Sequence, residues 1–111
     1  MTTPAGKLAL LSRLATLRAD RAKATAAKSR AQATQIEAAI ADLRAQRRQI
    51  AAEPPAPGLA SAQAAWLRQA DRQIAALTGK LARARAELDH RLDDARREEG
   101  RRQVLEKLGN R

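Results

Sequence analysis

The chain has 111 residues, with 22 Lys and Arg against 12 Asp and Glu for a formal charge of +10, and it lacks Cys, Phe and Tyr. Of its 49 hydrophobic residues 28 are Ala, and the remainder, 14 Leu, 4 Ile, one Val, one Met and one Trp, are too few for a globular core and poor in strand formers. A disulfide framework, thiolate chemistry and a membrane span of 18 apolar residues are thereby excluded. Ala, Leu, Arg, Gln, Glu and Lys dominate instead, the composition of a long helix or coiled coil. The apolar block at residues 8–11 is too short for a signal peptide, so the expected location is the cytoplasm.

Thr2-Thr3-Pro4 offers a cap and a first-turn proline, and a first helix is predicted over about residues 5–53. One heptad frame, stepping 3 and 4 alternately, runs along it through Leu8, Ser12, Ala15, Ala19, Ala22, Ala26, Ser29, Ala33, Ile36, Ile40, Leu43, Arg47 and Ile50. Three prolines in four positions, Pro54, Pro55 and Pro57, followed by Gly58, make a turn of residues 54–58. A second helix is predicted over about residues 59–109, closed by Gly109-Asn110. Its frame runs through Gln63, Leu67, Ala70, Ile74, Leu77, Leu81, Ala84, Leu88, Arg91, Ala95, Glu98, Arg102 and Leu105. Two helices of equal length, each ~75 Å at 1.5 Å per residue, joined by a short turn, predict an all-α fold: an antiparallel coiled-coil hairpin forming a single domain. Folding at the prolines pairs positions whose numbers sum to 113 or 114, so that Ile40 meets Ile74, Ala33 meets Leu81 and Leu8 meets Leu105.

Some residues stand outside that seam. Leu10, Leu14 and Leu17 form a second stripe on the first helix, and Val104 and Leu108 lie off the frame of the second. In a hairpin these ends are neighbours, giving a leucine patch rimmed by Lys7, Arg13, Arg18, Arg101, Arg102 and Lys107. Two readings stand: a local frame shift or packing of a frayed end on one side, and a docking surface for another protein on the other. Trp66, one or two turns beyond the prolines, either caps that end of the hairpin or marks a weaker contact point. Glu87 with Arg91, Asp93 with Arg97, and Glu98 with Arg102 have the spacing of i, i+4 ion pairs. Asp93 and Asp94 point ~100° apart and cannot act as paired catalytic carboxylates. His90 is alone on an outer face, and no glycine-rich phosphate loop occurs. No catalytic residue, cofactor or metal ligand is expected, and the chain reads as a non-enzyme.

The opening GKLALLSRLATLRADRAKATAAKSRAQATQIEAAIADLRAQ, the single Trp after the turn and the closing REEGRRQVLEKLGNR together resemble the FliJ family of bacterial flagellar export, related to the YscO-type stalk proteins of injectisomes. The similarity covers nearly the whole chain as a pattern; the run Leu105-Glu106-Lys107-Leu108 with Arg101 and Arg102 before it is its most specific part. What the resemblance implies is a cytoplasmic stalk, peripheral to the membrane-associated export apparatus. Its paired termini would enter and stimulate a hexameric export ATPase; the shaft would also contact the export-gate membrane protein and export chaperones. No small-molecule substrate is implied. Two other classes compete. A basic rod attracts phosphate backbones, but arginines interleaved with acids and the absence of aromatic platforms argue against specific nucleic-acid binding. The other is a self-associating scaffold, two hairpins making a four-helix bundle through Ala38, Ala45, Ala75 and Ala82.

Overall fold

A computed structural model describes residues 3–110, and the fold is all-α: two long helices, α1 over Pro4–Ala52 and α2 over Ala60–Gly109, forming an antiparallel coiled-coil hairpin. Thr3 caps α1: its Oγ1 accepts the Gly6 amide at 3.0 Å and its carbonyl accepts the Lys7 amide at 2.9 Å. Pro4 then takes the first helical position, where its missing N–H is no loss. Thr2 of the predicted cap lies outside the described residues. At the far end the Asn110 amide reaches the Glu106 carbonyl at 3.2 Å, closing α2 at the expected Gly109-Asn110 pair.

The helices cluster into two units. The hinge-side unit comprises residues 31–85. Here α1 stops at Ala52, ahead of the predicted limit, because Pro54 disfavours helical geometry at Glu53. The last turn tightens, with the Glu53 amide on the Ile50 carbonyl at 3.3 Å. Gln63 of α2 finishes the job, its Nε2 donating to the carbonyls of Ile50 at 2.6 Å and Glu53 at 2.9 Å. Between the helices, Gly58 has φ 81° and the Leu59 amide returns to the Ala56 carbonyl at 2.9 Å. Pro57-Gly58 supplies the fixed φ and the left-handed φ that a type II turn needs at its two central positions.

The packed heart of this unit is Ala33, Ile40 and Leu81, with Ile36, Ile74, Leu77 and Ala84 against it. Leu81 of α2 is thus clustered with Ala33 and Ile40 of α1, the large-against-small arrangement expected of the seam. Two inter-helix ion pairs flank it, Arg47 with Asp71 and Arg85 with Glu37 at 3.0 Å. The Arg47 guanidinium grips both Asp71 oxygens and holds that carboxyl below its ordinary range, chiefly through the hydrogen bond.

The open-end unit comprises residues 1–30 and 86–111. Its seam is small on one side: Ala15, Ala19, Ala26 and Ser29 of α1 are all buried, Ala19 completely. Leu88 and Leu92 of α2 supply the bulk and are half-buried. Methyl-sized residues facing leucines permit close helix approach. At the chain ends a carbon added at Gly109 would sit 3.9 Å from Leu8 Cδ2, so Leu8 reaches one turn beyond its expected partner Leu105. The seam frame itself holds throughout. All thirteen frame positions of α1 are buried or half-buried, and so are the thirteen of α2. On α1 only Gly6 and Thr25 join them from outside the frame.

Candidate partner-docking surface

The residues left over in the open-end unit are large and apolar. Leu10, Leu11, Leu14 and Leu17 of α1 and Val104 and Leu108 of α2 expose between 44% and 65% of their surface. Each therefore keeps more than two fifths of its surface open to solvent, surface that close packing against the neighbouring helix would have covered. The leucines divide around α1. Leu11 and Leu14 line a groove of about 600 Å³ between the helices, with Ala15, Arg18, Glu98, Gly100, Arg101, Val104 and Leu105. Leu17 faces a shallower cleft with Ser12, Arg13 and Thr16. Leu105 has a double position, half-buried on the seam frame and exposed to the groove along one flank.

Leu11 and Gly100 were not singled out from sequence as part of this surface. Leu11 lies three residues before Leu14, a helical neighbour, and that spacing was available. Gly100 gave only the signal of a glycine inside a helix.

Charge is distributed unevenly across the unit. Residues 1–30 hold seven Lys and Arg against one Asp, whereas residues 86–111 hold seven against seven. The acids of α2 are used on its own arginines: Glu87 with Arg91 at 3.4 Å, Asp93 with Arg96 at 2.9 Å, Asp94 with Arg97 at 3.7 Å, and Glu98 with Arg101 at 2.8 Å. Two expected i, i+4 pairs are therefore replaced by i, i+3 pairs, which are equally close on a helix surface. Arg102 turns from Glu98 to Glu99 at 2.7 Å and to Glu106 at 3.2 Å. Two of the six cations of the sequence-predicted rim, Arg101 and Arg102, are thus engaged. On the α1 part of this unit, among the described residues, only Lys23 is engaged, with Glu99 at 3.1 Å across the seam. Lys7, Arg13, Arg18, Arg21, Lys28 and Arg30 are exposed and pair with no acid among the described residues. Lys107 on α2 is likewise exposed. Apart from Lys107, the unpaired positive charge among the described residues of this unit accordingly sits on α1.

A second cleft, about 410 Å³, is lined by Arg18, Arg21, Ala22, Thr25, Arg91, Asp94 and Glu98. Arg91 Nε and Glu98 Oε2 are buried there without a hydrogen-bond partner among the described residues. His90 is exposed, its Nε2 3.6 Å from Asp94. No group of three or more His, Cys, Asp or Glu able to hold a metal occurs among the described residues, and no described helix is long and apolar enough to cross a membrane. Trp66 belongs to the hinge-side unit, where it and Leu67 are half-buried.

Glu99 clasps the two helices together. Hydrogen bonds from Arg102 and then from Lys23 hold its carboxyl at about 2, down from 4.5. A carboxyl depressed in the folded state stabilises the fold above its unfolded value, and that stability is lost as pH falls from 4.5 toward 2. Thermal melts followed by circular dichroism should show the midpoint dropping through this window, and Glu99→Gln should flatten part of the drop. Superimposable pH profiles for the two proteins would remove Glu99 from the clasp.

No protein-family model, curated protein or solved structure matches this chain significantly. Its function is therefore inferred from the surface just described and from the sequence pattern.

Proposed function

We propose that the protein is a non-enzymatic stalk of a bacterial flagellar-type protein export apparatus, whose open end docks on and stimulates a hexameric export ATPase. The observation that carries this reading is the set of exposed leucines, Leu10, Leu14 and Leu17, standing beside unpaired cations on α1 at the meeting point of the chain ends. Apolar anchors ringed by charge are the composition of a protein-binding surface. The resemblance of the N-terminal leucine-arginine segment and of the run from Arg101 to Leu108 to the FliJ family supplies the kind of partner. In that reading the chain works in the cytoplasm, peripheral to the membrane-associated machinery. The hinge-side half, with Trp66, would meet the export-gate membrane protein or export chaperones.

Nucleic-acid binding is less well supported, because in the open-end unit the arginines of α2 from Arg91 to Arg102 are each held by an acid of the same helix. Adding the purified chain to a purified hexameric export ATPase tests the reading. Hydrolysis should rise and a complex should form at physiological salt. Unchanged hydrolysis with no complex would end it.

A further inference from the structure

An α-helix advances ~100° per residue, and near the start of α1 that spacing sorts the exposed residues by type. Lys7, Leu10, Leu11, Leu17, Arg18 and Arg21 all lie within about 60° of Leu14 around the helix. Between residues 7 and 21 no other position falls within that arc. The face therefore consists of four leucines, with Lys7 before them and Arg18 and Arg21 after them. All seven residues are exposed, and the three cations pair with no acid among the described residues. Asp20, the one acid of residues 1–30, lies about 120° from Leu14. Arg13, exposed and equally unpaired, borders the face on one flank.

We infer that this face of α1 is a reversible contact for the surface of an anionic lipid bilayer. Leucines set between cations are the composition of a helix that lies in the interface. Its apolar side chains enter the acyl boundary, and its long Lys and Arg stems reach back to the phosphates. Leu10, Leu11, Leu14 and Leu17 each keep between 45% and 65% of their surface open, the area such a contact covers. A bilayer asks for one sign of charge and no matching shape. The α1 face supplies the one sign, and Leu17 borders a shallow cleft with Ser12, Arg13 and Thr16 that offers little to a shaped partner. Val104 and Leu105, across the groove from Leu11 and Leu14, continue the apolar area onto α2. Glu98 also lines that groove, but Arg101 holds it at 2.8 Å and offsets its charge. No described helix is long and apolar enough to cross a membrane, so the contact is with the surface. A second copy offering the same face would set these cations against each other, which costs affinity. The inference goes beyond the docking reading and draws on the same leucines, so lipid and ATPase would compete for this end of the chain.

Co-sedimentation of the full chain with phosphatidylcholine vesicles, with and without phosphatidylglycerol, tests it. The chain should bind the vesicles that hold phosphatidylglycerol at least about tenfold more tightly than the others. Leu10→Ser with Leu17→Ser should weaken that binding at least about tenfold, with helical content by circular dichroism retained. Arg18→Gln with Arg21→Gln should weaken it to a similar degree without touching a leucine. The control is Arg44→Gln with Arg48→Gln, which removes the same charge from exposed positions of the hinge-side unit and should change binding by no more than about twofold. An equal loss in that control would reduce the contact to the pull of any polycation and overturn the proposal. Unchanged binding in the leucine variant would overturn it too, as would failure to bind the phosphatidylglycerol vesicles. Vesicle binding is measured without ATPase, and stimulation without vesicles. A chain that stimulates the ATPase and ignores the vesicles would keep the stalk reading and lose this one; vesicle binding that meets the predictions above, with hydrolysis unchanged, would do the converse.

Discussion

Leu81→Ala should lower the thermal midpoint of the hairpin by about 10–20 °C, the equivalent of about 2–3 kcal/mol in a domain of this size. Among the described residues Leu81 and Ile40 are the two large side chains that are buried, and both belong to one cluster in the hinge-side unit. Everything else in the buried set is alanine or serine. Truncating it leaves Ala33 and Ile40 without their common partner and strips contact from Ile36, Ile74 and Leu77. The loss falls at the low end of the usual range for a buried leucine because two helices can close up over a gap more easily than a three-dimensional core can. It is nevertheless a large share of the total, since a two-helix seam buries little per residue and small domains have little stability to lose. Denaturant melts monitored at 222 nm measure it, and a midpoint unchanged by Leu81→Ala would mean that the helices do not pair along this frame.

The double change Leu14→Asp, Leu17→Asp should do the reverse: leave the fold and remove the activity. Both side chains are exposed, Leu14 on the groove and Leu17 on a separate, shallower cleft, so neither contributes much to the seam. The stability cost should stay within about 1 kcal/mol, the sum of a poorer helix propensity at two sites. Stimulation of the export ATPase should fall at least about tenfold, as expected when apolar anchors at the centre of an interface are replaced by charge. The carboxylates would also cancel part of the α1 charge, so the double lysine variant is the useful companion. If lysine is as damaging as aspartate, the apolar contact dominates; if lysine is tolerated, charge does. Should helicity collapse together with activity, the leucines would be structural and the docking claim would fail.

The fold was largely legible in the chain because each deciding signal is local. The prolines and Gly58 act on their own φ angles, Thr3 caps from one position, and the heptad frame repeats along each helix without reference to the other. Contacts between the helices were less legible. Leu8 lies one turn further along than a fixed pair sum allows, since a knob sits between two partner residues rather than opposite one. The choice of Arg102 for Glu99 over Glu98 depends on Lys23 arriving from α1, which no spacing within α2 contains. At the surface, the off-frame leucines were visible as leftovers. Which arginines remain free was not, because Arg101 and Arg102 look as available in sequence as Arg13 and Arg18.

Whether the chain ends lie side by side, with their leucines turned outward, can be measured directly. The protein lacks Cys, so Ala9→Cys and Lys107→Cys, both at exposed positions, accept one nitroxide label each without further engineering. Double electron–electron resonance on the doubly labelled chain, diluted in unlabelled protein, should give one narrow distance of roughly 10–25 Å, set by helix axes 8–10 Å apart plus the label arms. A separation beyond about 50 Å, or a short distance that disappears on dilution because it arises between two chains, would contradict the hairpin and the surface built on it.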